Sequence, residues 1–299
     1  MKKSFSGSIM LLLATVIWGS AFVSQDIAMA HLPPFSFQAI RSFVAVIGLM
    51  PVIAIFDRVG SEKTNFFRGW GNKKLWLAGL LCGVPLFLAC NLQQLGLAGD
   101  TDPGKSGFLT AMYIVIVPII GIFRRKKPGI MVPVSVVIAV VGLYFLCCKE
   151  SFTIQTGDIL TLCCALMFAV QITVVDIYVQ HVNALRLNAL QALVCAILSA
   201  CVAIFSEQPT LEGAWRCALP IAHTGLLSMG AAYALQILGQ KHLEPTIASL
   251  IMSLESVFAV LFSWIILGKG LSSGETLGCV LVFTAVILSQ IEFKPKKSA

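Results

Sequence analysis

Long apolar stretches joined by short connections are the feature that most restricts what this chain can fold into. Ten segments are mostly apolar and have about the 20 residues that a helix needs to cross a bilayer. Only 12% of the 299 residues are charged, about half of the share in soluble domains. The sequence therefore predicts an all-α integral membrane protein and excludes cytosolic, disulfide-rich secreted and disordered classes. The segments are 7–29, 35–56, 75–98, 104–123, 130–148, 157–179, 187–205, 216–239, 245–267 and 275–291.

The basic residues are unequally distributed between the two sides of these segments. With the N-terminus in the cytoplasm, 16 of the 21 Lys and Arg residues fall in cytoplasmic segments, four fall outside, and Arg41 lies within a span. Cytoplasmic loops carry such an excess. The pattern predicts a multi-pass protein of the cell membrane, plasma or inner, with both termini cytoplasmic. It also accounts for the net charge of +7 without a nucleic-acid partner.

The N-terminus permits two interpretations. Lys2 and Lys3 precede an apolar run, and residues 28–30 resemble a signal-peptide cleavage site. We favour an uncleaved first helix, because the apolar run at 9–23 is long for a signal peptide. Cleavage would also remove one helix of the repeat that relates the two halves of the chain, which is described below.

The ten cysteines lie mostly inside apolar runs and form no C-x-x-C pair. We expect them to be packing residues, with no metal or other cofactor. The adjacent pairs Cys147-Cys148 and Cys163-Cys164 are not explained by this interpretation.

The repeat is a weak similarity between the two halves of the chain. Four residues recur at an offset of 142, and earlier matches lie at offsets of 149 and 150. Five spans per half is an odd number, so the halves cross the membrane in opposite directions. We expect two inverted five-helix repeats, residues 1–148 and 149–299, around a central cavity, as in secondary transporters. The recurring residues are Gly83, Ala89, Gln94 and Pro103, matched by Gly225, Ala231, Gln236 and Pro245.

Several motifs resemble those of the EamA-type carriers of the drug/metabolite transporter superfamily. They are W-G-x-x-F at 18–22, R-x-F at 41–43, a fourth-span pattern at 107–118 and L-E-x-V-F-A at 254–259 followed by L-G. Ser256 and Lys269 stand where Pro and Glu are common in that family. The resemblance covers residues 7–291. It implies ten helices, a central cavity formed mainly by spans 1, 3, 4, 6, 8 and 9, and movement of small organic solutes, commonly amino acids and often outward.

Glu255 and Arg41 are charged residues deep within predicted spans, where insertion costs about 2.5–3.5 kcal/mol each. Glu255 lies about 15 Å into its span at 1.5 Å per residue. Two interpretations stay open for it. It faces the cavity and binds a cationic group or carries a coupling proton, or it belongs to a fixed ion pair or hydrogen-bond network, with Arg41 as a partner. For Arg41, and for His223 in the eighth span, the structural role is favoured.

Polar and aromatic residues at helical spacing predict the lining of the cavity. Asn91 and Gln94 share one face of the third span, and Tyr233 and Gln236 recur 142 residues later. Each residue could instead join helices to one another. The recurrence favours a substrate site at the repeat interface. The predicted substrate-binding residues are Trp18, Asn91, Gln94, Tyr113, Gln171, Tyr233 and Gln236, with Asp176 as a solvated or gating residue.

The sequence thus predicts a secondary-active transporter and not an enzyme. It contains no phosphate-binding loop and no H-E-x-x-H or G-x-S-x-G motif. We expect an exporter of small organic metabolites that uses alternating access and a proton or other ion gradient. A membrane-embedded enzyme or a solute sensor is the alternative. The G-x-x-x-G pairs at 79–83 and 274–278 favour contacts within the bundle over a homodimer interface.

Overall fold

The computed structural model describes residues 2–59, 65–99, 103–125, 129, 131–147, 155–267 and 272–290. Within these ranges the chain is helical and has no strand, which confirms the all-α class. The helices are α1 (Lys2–Met29), α2 (Pro34–Val59), α3 (Lys73–Ala98), α4 (Pro103–Ala111), α5 (Tyr113–Phe123), α6 (Met131–Cys147), α7 (Thr156–Tyr178), α8 (Ala184–Ser206), α9 (Leu211–Arg216), α10 (Ala218–Ala222), a π-helical segment (His223–Ala232), α11 (Tyr233–Gln240), α12 (Pro245–Met252), α13 (Leu254–Leu267) and α14 (Ser273–Ser289), with a 3₁₀ turn at Arg68–Trp70.

Eight helical stretches of the described chain are long and apolar enough to cross a membrane. They coincide with the predicted spans one to four and six to nine. Two shorter apolar helices, Met131–Leu146 and Ser273–Ser289, lie where the fifth and tenth spans are expected. The count of ten spans therefore stays a prediction. The eight stretches are Ser4–Met29, Pro34–Val59, Lys73–Ala98, Ser106–Phe123, Thr156–Tyr178, Ala184–Ser206, Ala218–Gln240 and Pro245–Phe262.

Three of the predicted spans are interrupted rather than continuous α-helices. The fourth is divided at Met112 and the ninth at Ser253. At each division an i→i+3 bond tightens the turn: Val115 N donates to Met112 O at 3.0 Å, and Ser256 N donates to Ser253 O at 3.2 Å. The eighth span contains the π-helical segment. Apolar periodicity cannot locate such changes of winding, because the residues remain apolar through them.

The paired helices α2 and α8 are held together at both ends. At one end, Arg186 Nη2 lies 2.6 Å from Asp57 Oδ2, and both side chains are buried. At the other end, Glu207 accepts hydrogen bonds from the backbone N–H groups of Phe35 and Ser36 at 2.9 and 2.7 Å. In each contact a carboxylate at the C-terminal end of one helix binds a residue in the first turn of the other. Asp57 binds the side chain of Arg186, and Glu207 binds backbone N–H groups, which favour an anion at a helix N-terminus. The two carboxylates are 150 residues apart in sequence.

The G-x-x-x-G glycines permit close contacts within the bundle, as predicted. A Cβ atom on Gly79 would lie 2.5 Å from Leu190 Cβ, and one on Gly83 would lie 2.6 Å from Val194 Cβ, both on α8. A Cβ atom on Gly278 of α14 would lie 2.6 Å from the carbonyl oxygen of Gly142 on α6. Larger residues at these positions would separate the helices.

Some features singled out in the sequence lie outside the described residues. These are Cys148, Lys126, Lys127, Pro128, Lys149, Lys269 and residues 291–299. The eight cysteines that the structure describes in detail are free thiols, and the described residues contain no group of three or more metal-binding side chains.

Replacing Arg186 by Met tests the buried contact between α2 and α8. The substitution leaves the carboxylate of Asp57 buried without a partner, so we expect the free energy of unfolding to fall by about 3–5 kcal/mol. Thermal unfolding of the purified protein in detergent measures the change. Arg216→Met is the matched control, because Arg216 and its partner Glu212 are 61% and 73% exposed and exposed pairs contribute about 0–1 kcal/mol. Equal melting temperatures for the two variants would contradict the prediction.

Candidate functional site

A cavity lies among the helices. It receives residues from α1, α2, α3, α5, α7, the π-helical segment, α11, α12 and α13. Both halves of the chain therefore contribute to it, as the repeat predicts for a central cavity. Its lining residues are Trp18, Phe22, Gln25, Arg41, Cys90, Gln93, Tyr113, Phe168, Gln171, Ile172, Ser228, Met229, Tyr233, Gln236, Met252 and Glu255.

Seven of the nine predicted site residues line this cavity: Trp18, Arg41, Tyr113, Gln171, Tyr233, Gln236 and Glu255. Asn91 and Gln94 do not. Asn91 instead donates to Ser199 Oγ at 2.9 Å, joining α3 to α8. Gln94 is fully buried and donates through Nε2 to Gln25 Oε1.

Aromatic side chains form much of the wall. The rings of Trp18 and Tyr233 pack edge to face with centroids 5.1 Å apart, and those of Tyr113 and Phe168 do so at 6.5 Å. The indole Nε1 of Trp18 is enclosed and has no hydrogen-bond acceptor among the described residues. The wall therefore offers apolar faces together with one unused donor, which suits a small organic ligand.

Glu255 and Tyr113 meet at the cavity. The Tyr113 hydroxyl donates to Glu255 Oε1 at 3.2 Å, and both residues are at least nine-tenths buried. Each lies within two residues of a helix division, at Met112 and at Ser253. The two partners are 142 residues apart, so positions that correspond in the sequence repeat touch each other.

Arg41 lines the same cavity without a carboxylate partner. Its Nε donates to Gln38 Oε1 at 2.7 Å and its Nη1 to Gln25 Oε1 at 2.9 Å, and the guanidinium lies 5.2 Å from the Phe37 ring centre. Among the described residues no carboxylate lies within 4.0 Å of Arg41, so the structure contains no ion pair between Arg41 and Glu255.

Two polar networks of similar composition flank the cavity. The first polar network joins Arg41 to Gln38 and Gln25, and Gln25 also accepts from Gln94. The second polar network consists of Gln171, Asn188, Gln191 and Gln236.

In the second network Gln191 donates to Asn188 Oδ1 at 3.0 Å and accepts from Gln171 at 3.0 Å. Gln171 also accepts from Gln236 at 3.1 Å. Gln191 and Asn188 follow Arg41 and Gln38 by 150 residues, so these two pairs occupy corresponding positions and differ chiefly in the charge of Arg41.

The π-helical segment is supported by neighbouring helices. Asn188 donates to the carbonyl oxygens of Met229 and Gly230 at 3.2 and 2.8 Å. At the start of the segment the two ring nitrogens of His223 lie 3.2 and 2.9 Å from the hydroxyls of Ser20 and Ser24 on α1. His223 is therefore a helix-joining residue and does not line the cavity.

At the ends of α5 and α7, Arg124 Nη1 lies 3.1 Å from Asp176 Oδ2, with the two side chains 32% and 14% exposed. Asp176 thus joins two helix ends and lies outside the cavity lining.

The sequence analysis missed several lining residues, including Phe22, Gln25, Cys90, Gln93 and Phe168. The repeat could have identified one of these lining residues. Phe168 follows Trp18 by 150 residues, which is the offset of the repeat in this region. Cys90 and Gln93 each precede a predicted residue of α3 by one position, so the helix is rotated by about 100° from the expected orientation.

Comparison with known proteins adds the family. The model of the EamA-like transporter family matches residues 5–148 and, separately, residues 155–290. The chain belongs to the EamA-like transporter family. This confirms the resemblance found in the sequence motifs, and together with the eight apolar helices it makes the chain a multi-pass membrane transporter.

Similar proteins cover nearly the whole chain. A protein of Archaeoglobus fulgidus named as an uncharacterized transporter is 33% identical over 279 residues, which is 93% of this chain and 83% of that protein. The uncharacterized transporter YoaV of Bacillus subtilis is 22% identical over 293 residues, 96% and 97% of the two chains. A solved crystal structure shares the fold with a TM-score of 0.77 at 15% identity, covering 95% of this chain and 96% of its own.

Gly19 tests the packing of α1 against α13, which carry Trp18 and Glu255. A Cβ atom there would overlap Phe258 Cβ and lie 2.8 Å from the backbone nitrogen of Ala259. We expect Gly19→Ala to lower the free energy of unfolding by about 1–3 kcal/mol through overpacking. Thermal unfolding in detergent provides the measurement.

Gly121→Ala is the matched control for Gly19→Ala. Gly121 lies in α5 and has no atom within 4 Å of an added Cβ, so this variant should keep or raise the melting temperature through helix propensity, worth up to about 1 kcal/mol. A melting temperature of Gly19→Ala equal to that of Gly121→Ala would show that α1 and α13 do not pack as described.

Proposed function

We propose that this transporter is a secondary-active exporter of small organic metabolites, such as amino acids or related compounds, and that it works by alternating access. The observation that carries the proposal is the cavity lined by residues of both halves of the chain. A site between two units that move against each other can open to either side in turn. The cargo binds among Trp18, Tyr113, Gln171, Tyr233 and Gln236.

We further propose that the units are two inverted repeats of five membrane-spanning helices, residues 1–148 and 149–299. Three observations support this division. The family model matches twice, at 5–148 and 155–290. The contacts of Asp57 and Glu207 at opposite ends of the α2–α8 pair are 150 residues apart. In the two polar networks, Asn188 and Gln191 follow Gln38 and Arg41 by 150 residues.

The distribution of basic residues supports a location and an orientation. We propose that it lies in the cell membrane with both termini in the cytoplasm, because 16 of 21 basic residues then face the cytoplasm.

Glu255 is the proposed coupling residue. It lines the cavity, and among the described residues its carboxyl group accepts a hydrogen bond from the Tyr113 hydroxyl. A carboxyl group at a cavity that opens to each side in turn can bind a proton from one side and release it to the other. A cationic group of the cargo can occupy the same position in turn.

A counterflow experiment tests the function. The purified full chain is placed in liposomes loaded with a broad mixture of metabolites, and exchange with labelled external solutes is followed by mass spectrometry. We expect exchange of a small set of organic solutes and none in protein-free liposomes. If no solute of the mixture exchanges, the transporter proposal for this site is wrong.

Replacing Glu255 by Gln separates coupling from binding. Glutamine resembles the protonated carboxyl, so we expect counterflow to persist within about twofold while acceleration by an imposed pH gradient disappears. Glu212→Gln is the control, because that carboxyl group is 73% exposed at the surface. An unchanged response of Glu255→Gln to the gradient would exclude Glu255 as the proton carrier.

A further inference from the structure

We propose that Arg41 is the receptor for an acid group on the cargo, and that the transported solutes are organic monocarboxylates with an apolar or aromatic body. This inference rests on the proposed transport function and names its substrate class. It is carried by an unbalanced buried charge, by the comparison of the two polar networks, and by the other groups that line the cavity.

The first step concerns charge. The Arg41 guanidinium is 2% exposed, and its protein acceptors are the neutral amide oxygens of Gln25 and Gln38. Nη2 donates to none of the described residues, so its N–H groups are available to a ligand in the cavity that Arg41 lines. A buried cation is costly unless an anion compensates it. Since no described carboxylate lies within 4.0 Å, a bound anion is the missing partner.

A different buried arginine shows what a structural ion pair looks like in this chain. Arg186 is also 2% exposed, and its Nη2 lies 2.6 Å from Asp57 Oδ2. It does not line the cavity. The fold therefore supplies a carboxylate where an arginine joins helices, and supplies none where an arginine faces the cavity.

The second step compares the two polar networks. Gln191 corresponds to Arg41 and also donates to an amide oxygen at i−3. It contacts a glutamine of the first helix in its half as well, although Gln191 accepts from Gln171 whereas Arg41 donates to Gln25. A neutral side chain thus satisfies this position of the fold. The charge of Arg41 is not required for packing, and its position at the cavity assigns it to the ligand.

The third step concerns the class of anion. Arg41 is the one Lys or Arg residue among the described lining residues, and the carboxyl group of Glu255 lines the same cavity. A single guanidinium binds a carboxylate in a planar two-point contact. A doubly charged phosphate would need a second cation and would be repelled by Glu255 when that group is ionised. The rings of Trp18, Phe168 and Tyr233 accommodate an apolar or aromatic body.

The counterflow experiment on the full chain in liposomes tests this inference when the exchanged solutes are sorted by chemistry. We expect every exchanged solute to carry a carboxylate. As a defined probe, 3-phenylpropanoate should compete with exchange at least tenfold more strongly than the neutral 3-phenylpropanamide of the same shape. Exchange of solutes that lack an acid group, or equal competition by the two probes, overturns the inference and leaves the transport function standing. Absence of all exchange contradicts both.

Three variants localise the effect. Arg41→Gln copies the residue at the corresponding position 191 and should reduce the preference for 3-phenylpropanoate to less than twofold. Arg41→Lys keeps the charge without the planar two-point contact and should give an intermediate preference. Arg216→Gln removes an exposed positive charge outside the cavity and should leave the preference unchanged. A tenfold preference that survives in Arg41→Gln assigns acid recognition elsewhere and refutes the role of Arg41.

Discussion

A polar group inside a bilayer must find its partner within the protein, because the lipid offers none, and much of this structure follows from that requirement. The carboxylates of Asp57 and Glu207 satisfy the two ends of the α2–α8 pair. Glutamine and asparagine side chains connect neighbouring helices around the cavity rather than projecting singly into apolar surroundings. Arg41 Nη2, which donates to none of the described residues, belongs to a residue that lines the cavity, where a ligand can supply the acceptor.

The two networks show how a repeated architecture acquires a specific site. In each network one side chain donates to an amide oxygen three residues earlier, and a glutamine of the first helix of that half joins two other helices, so both networks hold neighbouring helices together. The first network carries a charge at Arg41, whereas the corresponding residue of the second network is the neutral Gln191. Likewise Tyr113 and Glu255 occupy corresponding positions, yet one is a hydroxyl donor and the other an acceptor carboxyl, and this difference is what allows them to bond to each other. Specific chemistry in this chain therefore arises where corresponding residues differ.

The sequence predicted the helical class and the helix positions because apolar length is a direct requirement of the bilayer. It also predicted that Glu255 and Tyr113 belong to the cavity, because a polar group in an apolar span needs a partner and a cavity can provide one. It could not give the rotation of each helix about its axis. The spans are apolar around most of their circumference, so no amphipathic stripe marks the inner face. That is why the sequence pattern indicates Asn91 and Gln94 as lining residues, whereas Cys90 and Gln93 line the cavity in the structure.

The π-helical segment at His223–Ala232 accounts for part of this difference. A π-turn accommodates an extra residue in a helix. Cys90 and Gln93 precede the lining residues Tyr233 and Gln236 by 143 positions, one more than the offset of the matched glycines Gly83 and Gly225. Asn188, on another helix, holds the segment through two of its carbonyl oxygens. The winding of the eighth span is thus set partly from outside it. Rewinding it as an α-helix would turn Tyr233 and Gln236 about the helix axis relative to the cavity.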